Sequence, residues 1–334
     1  MTRNKPNPIL PAAGVRRKTA AGRGTGPNGL HDGGSLNPDH SGRDQPDSRA
    51  KTTVQLLKCK RNLTFSTFNA CTIREMSRAT ASCSRRCSVD VLGIQEHRRV
   101  HPDEEIRFDM VKGVDLITSS AWRNPTTRAA VGGVGLLLSR RARKALQSVN
   151  SLSPRVLVAT FDGNPATTVV VASSPHNHSE EADVEQFYLD LRAVAEQVPV
   201  HHFLTFLGDF NAWIGRDDAL FTYHDETNRN GEHLVSFIEE HNLLAANTMF
   251  QKRPSKFWTH KDRASDDKCQ LNYILVRRKW RNSVVNAEAF STFETVNSDH
   301  RVVSMKVKLS LRRPKASKPK ERVDWRMFST HAEL

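Results

Sequence analysis

The sequence predicts a layered α/β domain with a polar site along one rim. Three features lead there: apolar strand-length runs that close on an acid or an amide, a helix-spaced segment between them, and polar chain ends that cannot join a core. The chain has 334 residues, 37% of them hydrophobic, enough for one large core plus tails. Its formal net charge of +14 favours a polyanionic partner, because basic surface attracts phosphate backbones and releases their counterions. No apolar run approaches membrane-spanning length, and the segment from Met1 to Pro6 has no signal-peptide character. The expectation is a soluble intracellular protein, nuclear or cytoplasmic, with no membrane partner. The five cysteines, Cys59, Cys71, Cys83, Cys87 and Cys269, form no CxxC pairs and read as reduced thiols. A zinc site through Cys83 and Cys87 would lack a second ligand pair.

Residues 1–60 are rich in Gly, Pro, Asn, Asp, Ser and Arg and read as a disordered basic tail with no apolar face to bury. The folded domain is expected over residues 61–310. It opens on residues 63–69, an alternating β-branched and aromatic strand that ends at Asn69. A polar connection over residues 74–87 leads to a mostly apolar strand from Val89, whose closing Glu96 is an acid fixed at a strand end. Hard oxygen donors placed there suit Mg²⁺. Strand signals recur at residues 131–138, 155–161 and 167–172. Residues 180–197 then show helical spacing, with Val184, Phe187, Leu191, Val194 and Val198 on one side.

The run from Phe203 to Leu207 enters Gly208, Asp209, Phe210 and Asn211, a buried strand delivering polar groups at its end. Strand alternation would put Asp209 and Asn211 on one face, and an acid beside an amide suits holding and activating a water next to a phosphate. A helix over residues 232–241 follows, with Leu234, Phe237 and Ile238 as its apolar side. Residues 256–260 and 271–276 read as late strands, and Ser298, Asp299 and His300 open another at 302–307. Residues 311–334 return to Lys, Arg and Pro and read as a basic linker or tail.

The groups Phe68-Asn69, Gln95-Glu96, Gly208-Asp209-Phe210-Asn211 and Ser298-Asp299-His300 follow one another in an order that resembles the endonuclease/exonuclease/phosphatase superfamily over residues 63–309. A narrower likeness, carried by Gln95-Glu96-His97-Arg98-Arg99, Thr227-Asn228-Arg229-Asn230-Gly231 and Ser298-Asp299-His300-Arg301, is to the endonuclease domain of RTE-type non-LTR retrotransposons. The resemblance implies a DNase I-like fold, a four-layer α/β sandwich of two packed mixed β-sheets flanked by helices. It implies Mg²⁺, or Mn²⁺ in its place, held by Glu96 with Asn69 and Asp299. Asp209 would orient and deprotonate the attacking water, Asn211 would bond the phosphate or that water, and His300 would donate to a phosphate oxygen. The implied reaction is hydrolysis of a DNA phosphodiester to a 3′-hydroxyl and a 5′-phosphate. In intact elements a reverse transcriptase follows the nuclease. This chain has no YxDD-type site and reads as a truncated or free-standing copy, expected to be a monomer.

Two positions depart from the family's pattern. Asn272 stands where the family has an aspartate paired with the histidine matched by His300, and an amide does not stabilise imidazolium as a carboxylate does. In a serine protease, Asp to Asn beside the catalytic histidine costs about 10⁴ in turnover. Ser173 stands where the family has a tyrosine two places before the proline matched by Pro175. The fold is expected to survive both changes better than the activity. Three readings stay open: a Mg²⁺-dependent endonuclease impaired by Asn272 and Ser173, a non-catalytic nucleic-acid-binding remnant, and another phosphoesterase of the superfamily. His176 and His178 read as solvated loop residues, and Trp258 as a core or rim residue. Arg98-Arg99 and Arg277-Arg278-Lys279 read as solvated faces or phosphate contacts.

Overall fold

Apolar runs of strand length build two stacked mixed sheets in the structure, a computed structural model that describes residues 54–58, 61–73, 77–291 and 298–309. The first half forms β1 (Asn62–Asn69), α1 (Ser77–Arg86), β2 (Val91–Gln95), β3 (Ile106–Val111), β4 (Val114–Ser119), β5 (Trp122–Arg123), β6 (Ala130–Val131) and β7 (Gly135–Leu138). Then come α2 (Arg140–Ala145), β8 (Leu146–Ser153), β9 (Val156–Phe161), β10 (Thr167–Ser173), α3 (Glu181–Gln197) and β11 (Phe203–Asp209). The chain continues through α4 (Arg229–Glu240), β12 (Leu243–Ala245), β13 (His260–Lys261), β14 (Lys268–Cys269), β15 (Asn272–Arg277), β16 (Val284–Phe290) and β17 (Val302–Lys308). One sheet has the order β16-β17-β1-β2-β7-β4-β3 and the other β12-β15-β11-β10-β9-β8.

The central strands are apolar on both faces because each sheet is covered twice. Between the sheets, Phe65, Val91 and Leu136 meet Leu157, Val171, Leu207 and Ile274, and Phe65 stacks on Phe203 at 5.6 Å. On the outer side of the six-stranded sheet, Val184, Phe187 and Leu191 of α3 and Phe237 of α4 pack on Val170, Phe206 and Leu275. Beyond the seven-stranded sheet, Ala81 and Cys83 of α1 pack on Phe68, Leu92 and Ile94. The result is the four-layer α/β sandwich. Burying each large apolar side chain contributes about 1.5–3 kcal/mol, so this three-part core outweighs any single polar contact in holding the layers.

Several expectations need correction. Leu56 and Leu57 are fully buried, and backbone bonds run from the Leu56 N–H to Asp162 O (2.8 Å) and from the Asn164 N–H to Leu57 O (3.2 Å). The segment before residue 61 therefore does bury an apolar pair, which the polar composition around it concealed. The rest of the expected tails, residues 1–53, 59–60 and 311–334, lies outside the described residues. The polar connection over 74–87 contains the helix α1, and residues 106–119 add the hairpin β3-β4 at the sheet edge. Helix α4 begins at Arg229, earlier than its apolar spacing suggests, because the Asn228 side chain accepts the Gly231 N–H at 2.8 Å and caps the first turn. Residues 256–260 do not form the expected strand: Pro254–Lys256 is a 3-10 turn and only His260–Lys261 is extended.

Register brings the polar strand ends together. In the parallel pair β1 and β2, Asn69 faces Gln95; in the parallel pair β10 and β11, Ser173 faces Asp209. Antiparallel β15 starts where β11 ends, with Asn272 opposite Asp209, and β17 starts where β1 ends. Six strands thus finish or begin on one rim, above the seam between the sheets.

Candidate active site

Asn69 joins the two sheets. Its Nδ2 donates to Glu96 Oε1 at 2.9 Å and to Asp209 Oδ2 at 2.8 Å, while its Oδ1 accepts the Cys71 N–H at 2.9 Å. Gln95 makes a second crossing, from Nε2 to the Leu207 carbonyl at 3.1 Å. Glu96 sits just past β2 with φ +52°, and the turn that presents it is fixed by its neighbours. The His97 and Arg98 N–H groups bond the carbonyls of Gly133 (3.2 Å) and Gly132 (3.0 Å). The His97 ring lies fully buried beneath, with Nε2 donating to Val134 O at 3.2 Å and Nδ1 accepting the Arg99 N–H at 3.0 Å. Only neutral imidazole can make both bonds. Burial accordingly pushes His97 down to about 3.

Burial also works against the Glu96 carboxylate, but hydrogen bonds from Asn69 and Arg98 and the charges of Arg98 and His300 outweigh it and hold the group below its usual range. Arg98 Nη2 meets Glu96 Oε2 at 2.8 Å. Asp209 is 1% exposed, and its Oδ1 accepts the Asn211 N–H at 3.1 Å. Asn211 does not share its face as strand alternation suggests. The strand ends at Asp209, Asn211 turns to φ +47°, and its Nδ2 donates to the Ser174 carbonyl at 2.9 Å.

On the other side of the seam, His300 Nδ1 meets Asn272 Oδ1 at 2.9 Å and stands 3.7 Å from Asp209 Oδ2. Asn272 is fully buried, held by its own N–H to Thr259 Oγ1 (3.1 Å) and by Asn247 Nδ2 on its carbonyl (3.1 Å). Its Nδ2 finds no partner. Asp299 receives Cys71 Sγ on Oδ1 at 2.9 Å, with His260 Nε2 at 4.0 Å and Arg263 Nε at 3.8 Å from Oδ2. Burial raises Asp299, yet the Cys71 hydrogen bond and the charges of His300 and His260 bring it below the usual range. Burial and the Asp299 hydrogen bond push the Cys71 thiol up to about 12.

Asn69, Glu96, Asp209, Asn272, Asp299 and His300 are thus linked in one cluster, with Asn211 adjoining it through the Asp209 backbone turn. Within the cluster Glu96 is tied to Asn69, and Asp299 to Cys71 and His300. The residue that the sequence reading leaves out of the site is Cys71: it reads there as one of five reduced thiols, although its position two residues past Asn69 carries it over the rim. His260 was also missed, its ring 4.7 Å from that of His300.

The family comparison fits this arrangement, since residues 67–294 match the Endonuclease/Exonuclease/phosphatase family. The chain belongs to that family. Its sequence is 31% identical to Craniofacial development protein 2 of Bos taurus over 196 residues, which are 56% of this chain and 32% of that relative. The chain therefore spans about a third of the length of that curated relative. Among solved structures, an AP endonuclease from Leishmania major superposes with a TM-score of 0.58 at 16% identity, covering 75% of this chain and 89% of the other. The endonuclease domain of TRAS1, a telomere-specific non-LTR retrotransposon, superposes with a TM-score of 0.51 at 11% identity, covering 75% of this chain and all of that one. These likenesses show the DNase I-like sandwich. Enzymes of the family are hydrolases that act with divalent metal ions.

Basic residues divide by their end of the sheet. Arg277, at the far end of β15 from Asn272, is buried and donates to the carbonyls of Ala195 (3.1 Å), Val198 (2.7 Å) and Pro199 (2.5 Å). It closes the C-terminus of α3, and the reading of Arg277 as a phosphate contact or solvated face is corrected. Lys261, Arg263, Lys268 and Arg301 instead surround an open cleft beside Asp299 and His300. The Arg301 guanidinium lies 3.3 Å from the centre of the Trp258 ring, a cation–π stack at the rim. Among the described residues no helix is long and apolar enough to cross a membrane.

Proposed function

We propose that this chain is a metal-dependent endonuclease domain that nicks DNA, of the kind found in non-LTR retrotransposons, and that Asn272 and Ser173 slow it. The observation that carries this reading is the Asn69 bridge from Glu96 to Asp209, which with the Asn272–His300 pair and Asp299 beside it gathers three carboxylates and an imidazole over one seam. Carboxylate oxygens are the donors Mg²⁺ prefers, and the Arg98 guanidinium on Glu96 marks where positive charge is favourable. The residues present therefore fit a divalent ion, with Glu96 and Asp299 as ligands. Asn69, whose oxygen is taken by the Cys71 N–H, serves by positioning Glu96. Mg²⁺ or Mn²⁺ bound there would supply neutralisation of the scissile phosphate and of the leaving oxygen.

The chain's own groups account for the remaining steps. Asp209, fixed by Asn69 and by the Asn211 N–H, accepts the proton of the attacking water. Its two oxygens are held by separate donors, so the carboxylate cannot rotate away from that task. His300 donates from Nε2 to a phosphate oxygen, which requires imidazolium because Nδ1 already faces Asn272 Oδ1. Here an amide supports that cation less well than a carboxylate. Asn272 also leaves its buried Nδ2 unpartnered, as a side chain does when its second group has no counterpart. The DNA strand follows the cations around Trp258 and Arg301, contacts that are sequence-independent.

Incubation of the full chain with supercoiled plasmid and Mg²⁺ tests this reading. Asn272→Asp is expected to raise nicking at least tenfold and up to about 10⁴, the scale of a misoriented catalytic histidine. Glu96→Ala abolishes it in both backgrounds. An Asn272→Asp protein no faster than the parent, with Glu96→Ala unchanged, would remove the basis for a nuclease. Phosphate release from a soluble inositol phosphate in that case favours a different phosphoesterase.

A further inference from the structure

Cys71, Asp299 and His300 offer ligand atoms that all lie within 4.8 Å of one another. They reach this point from the turn after β1 and from the segment leading into β17, so the fold rather than sequence proximity assembles them. Cys71 Sγ is 2.9 Å and His300 Nε2 3.9 Å from the same oxygen, Asp299 Oδ1. A tetrahedral Zn²⁺ shell sets its ligand atoms roughly 3.3–3.8 Å apart, given metal bonds of about 2.0–2.3 Å. Those two separations bracket that range, and the Cys71–His300 separation lies within 4.8 Å, so the three groups are near enough to close on one ion once Cys71 moves off Asp299.

His300 is prepared for such a role. It is 7% exposed, its Nδ1 is taken by Asn272 Oδ1, and its Nε2 hydrogen-bonds none of the described residues. A ring whose far N–H is held by a fixed acceptor presents an oriented lone pair, which is how proteins aim metal-binding histidines. Asn272 Oδ1 is the acceptor that fixes the ring in this orientation. A thiolate, an imidazole and a carboxylate together make a donor set matched to Zn²⁺ and poorly matched to Mg²⁺. His260, with Nε2 at 4.0 Å from Asp299 Oδ2, is the neighbouring side chain placed for a fourth position.

We propose that Cys71, Asp299 and His300 form a zinc site, completed by His260 or water, whose occupation withdraws Asp299 and His300 from phosphodiester chemistry. The thiol proton passes to solvent as the sulfur binds the ion. Occupied in this way, the centre keeps Glu96 and Asp209 but loses the group that would meet the phosphate. Zinc binding is independent of whether the chain cuts DNA.

The test uses full-length protein stripped with a chelator and titrated with Co²⁺, then displaced with Zn²⁺. One equivalent of cobalt is expected to give a thiolate charge-transfer band together with the ligand-field absorption of a tetrahedral ion, and Mg²⁺ to give neither. Cys71→Ser, which keeps a hydroxyl donor for Asp299, loses the charge-transfer band and binds Zn²⁺ at least tenfold more weakly. Asn272→Ala weakens Zn²⁺ about 10–100-fold through loss of ring orientation. Cys83→Ser/Cys87→Ser binds as the parent does. Zinc-edge X-ray absorption on the unmodified protein then reads one sulfur among nitrogen and oxygen neighbours, which settles the matter should Cys71→Ser fold poorly. No thiolate band at any cobalt ratio, a band that persists without Cys71, or a shell with two or more sulfurs overturns the proposal.

Discussion

Asn69 shows how much of the centre depends on one amide. Both of its N–H groups are committed, to Glu96 and to Asp209, and the Cys71 N–H occupies its oxygen. Removing it takes one donor from each of two carboxylates, leaving Glu96 Oε1 and Asp209 Oδ2 without that bond in a site where Asp209 is 1% exposed. A buried polar group left without its partner costs about 1–3 kcal/mol, and Asn69→Ala is expected to lower the unfolding free energy by at least that much. Asn69→Asp should be worse, because it places a third negative charge between two others. Urea unfolding of both variants checks the order; an Asn69→Ala protein as stable as the parent would show that the carboxylates find other donors. At this scale the sequence was informative where a polar residue stands at a strand end, as with Glu96 just past β2, Asp209 closing β11 and Asn272 opening β15, because strand geometry dictates where such a side chain arrives. It was uninformative where the backbone leaves the strand. The positive φ of Asn211 turns its side chain to Ser174, and Cys71 reaches Asp299 through a turn that no periodicity encodes.

Between elements, the closeness of the two sheets is set near Gly93 of β2. A Cβ on Gly93 would lie 2.9 Å from Leu207 Cβ and 3.3 Å from Val171 Cγ1, both on strands of the opposing sheet. Gly93→Ala must therefore push β2 away from β11, the strand that carries Asp209, and is expected to cost about 1–3 kcal/mol as overpacking does. Thermal unfolding reads the loss, and the same shift loosens Gln95 Nε2 from the Leu207 carbonyl. At α4 the expected change is smaller: Asn228→Ala removes the cap on the Gly231 N–H and should cost about 1 kcal/mol. A null result at either position would mean that the backbone relaxes around it. Element types were legible where the period was clear, as in α3 and β11. They were hidden where it was not: α1 reads as a polar connection because the residues described on its buried side are small, such as Ala81 and Cys83. The strand expected over 256–260 fails because Pro254 starts a turn and Trp258 is held at the rim under Arg301.

Over the whole molecule, two histidines held neutral couple stability to pH. Burial pushes His97 down from 6.5 to about 3, in the turn behind Glu96. It pushes His224 down from 6.5 to about 4, where the ring stacks on Trp213 at 4.5 Å and accepts the Gln270 N–H. Both pKa values are depressed on folding, so below 6.5 the unfolded chain binds protons that the folded chain refuses. Stability is then greatest above that pH and declines as pH falls toward the folded values. Each additional proton taken up on unfolding tilts the balance by about 1.4 kcal/mol per pH unit. Glu96 and Asp299, held below their usual range, remain ionised in the upper part of this window and do not contribute there. The expected outcome is a urea-unfolding free energy that drops between 6.5 and about 4 with a slope approaching two protons from these rings alone. Glutamine at both positions supplies one donor and one acceptor without a titrating group. A His97→Gln/His224→Gln protein should therefore unfold with a flatter pH profile, even if its stability at neutral pH is lower. If the double variant keeps the parent's slope, the protons are taken up elsewhere, and the buried rings do not control the acid limit of this fold.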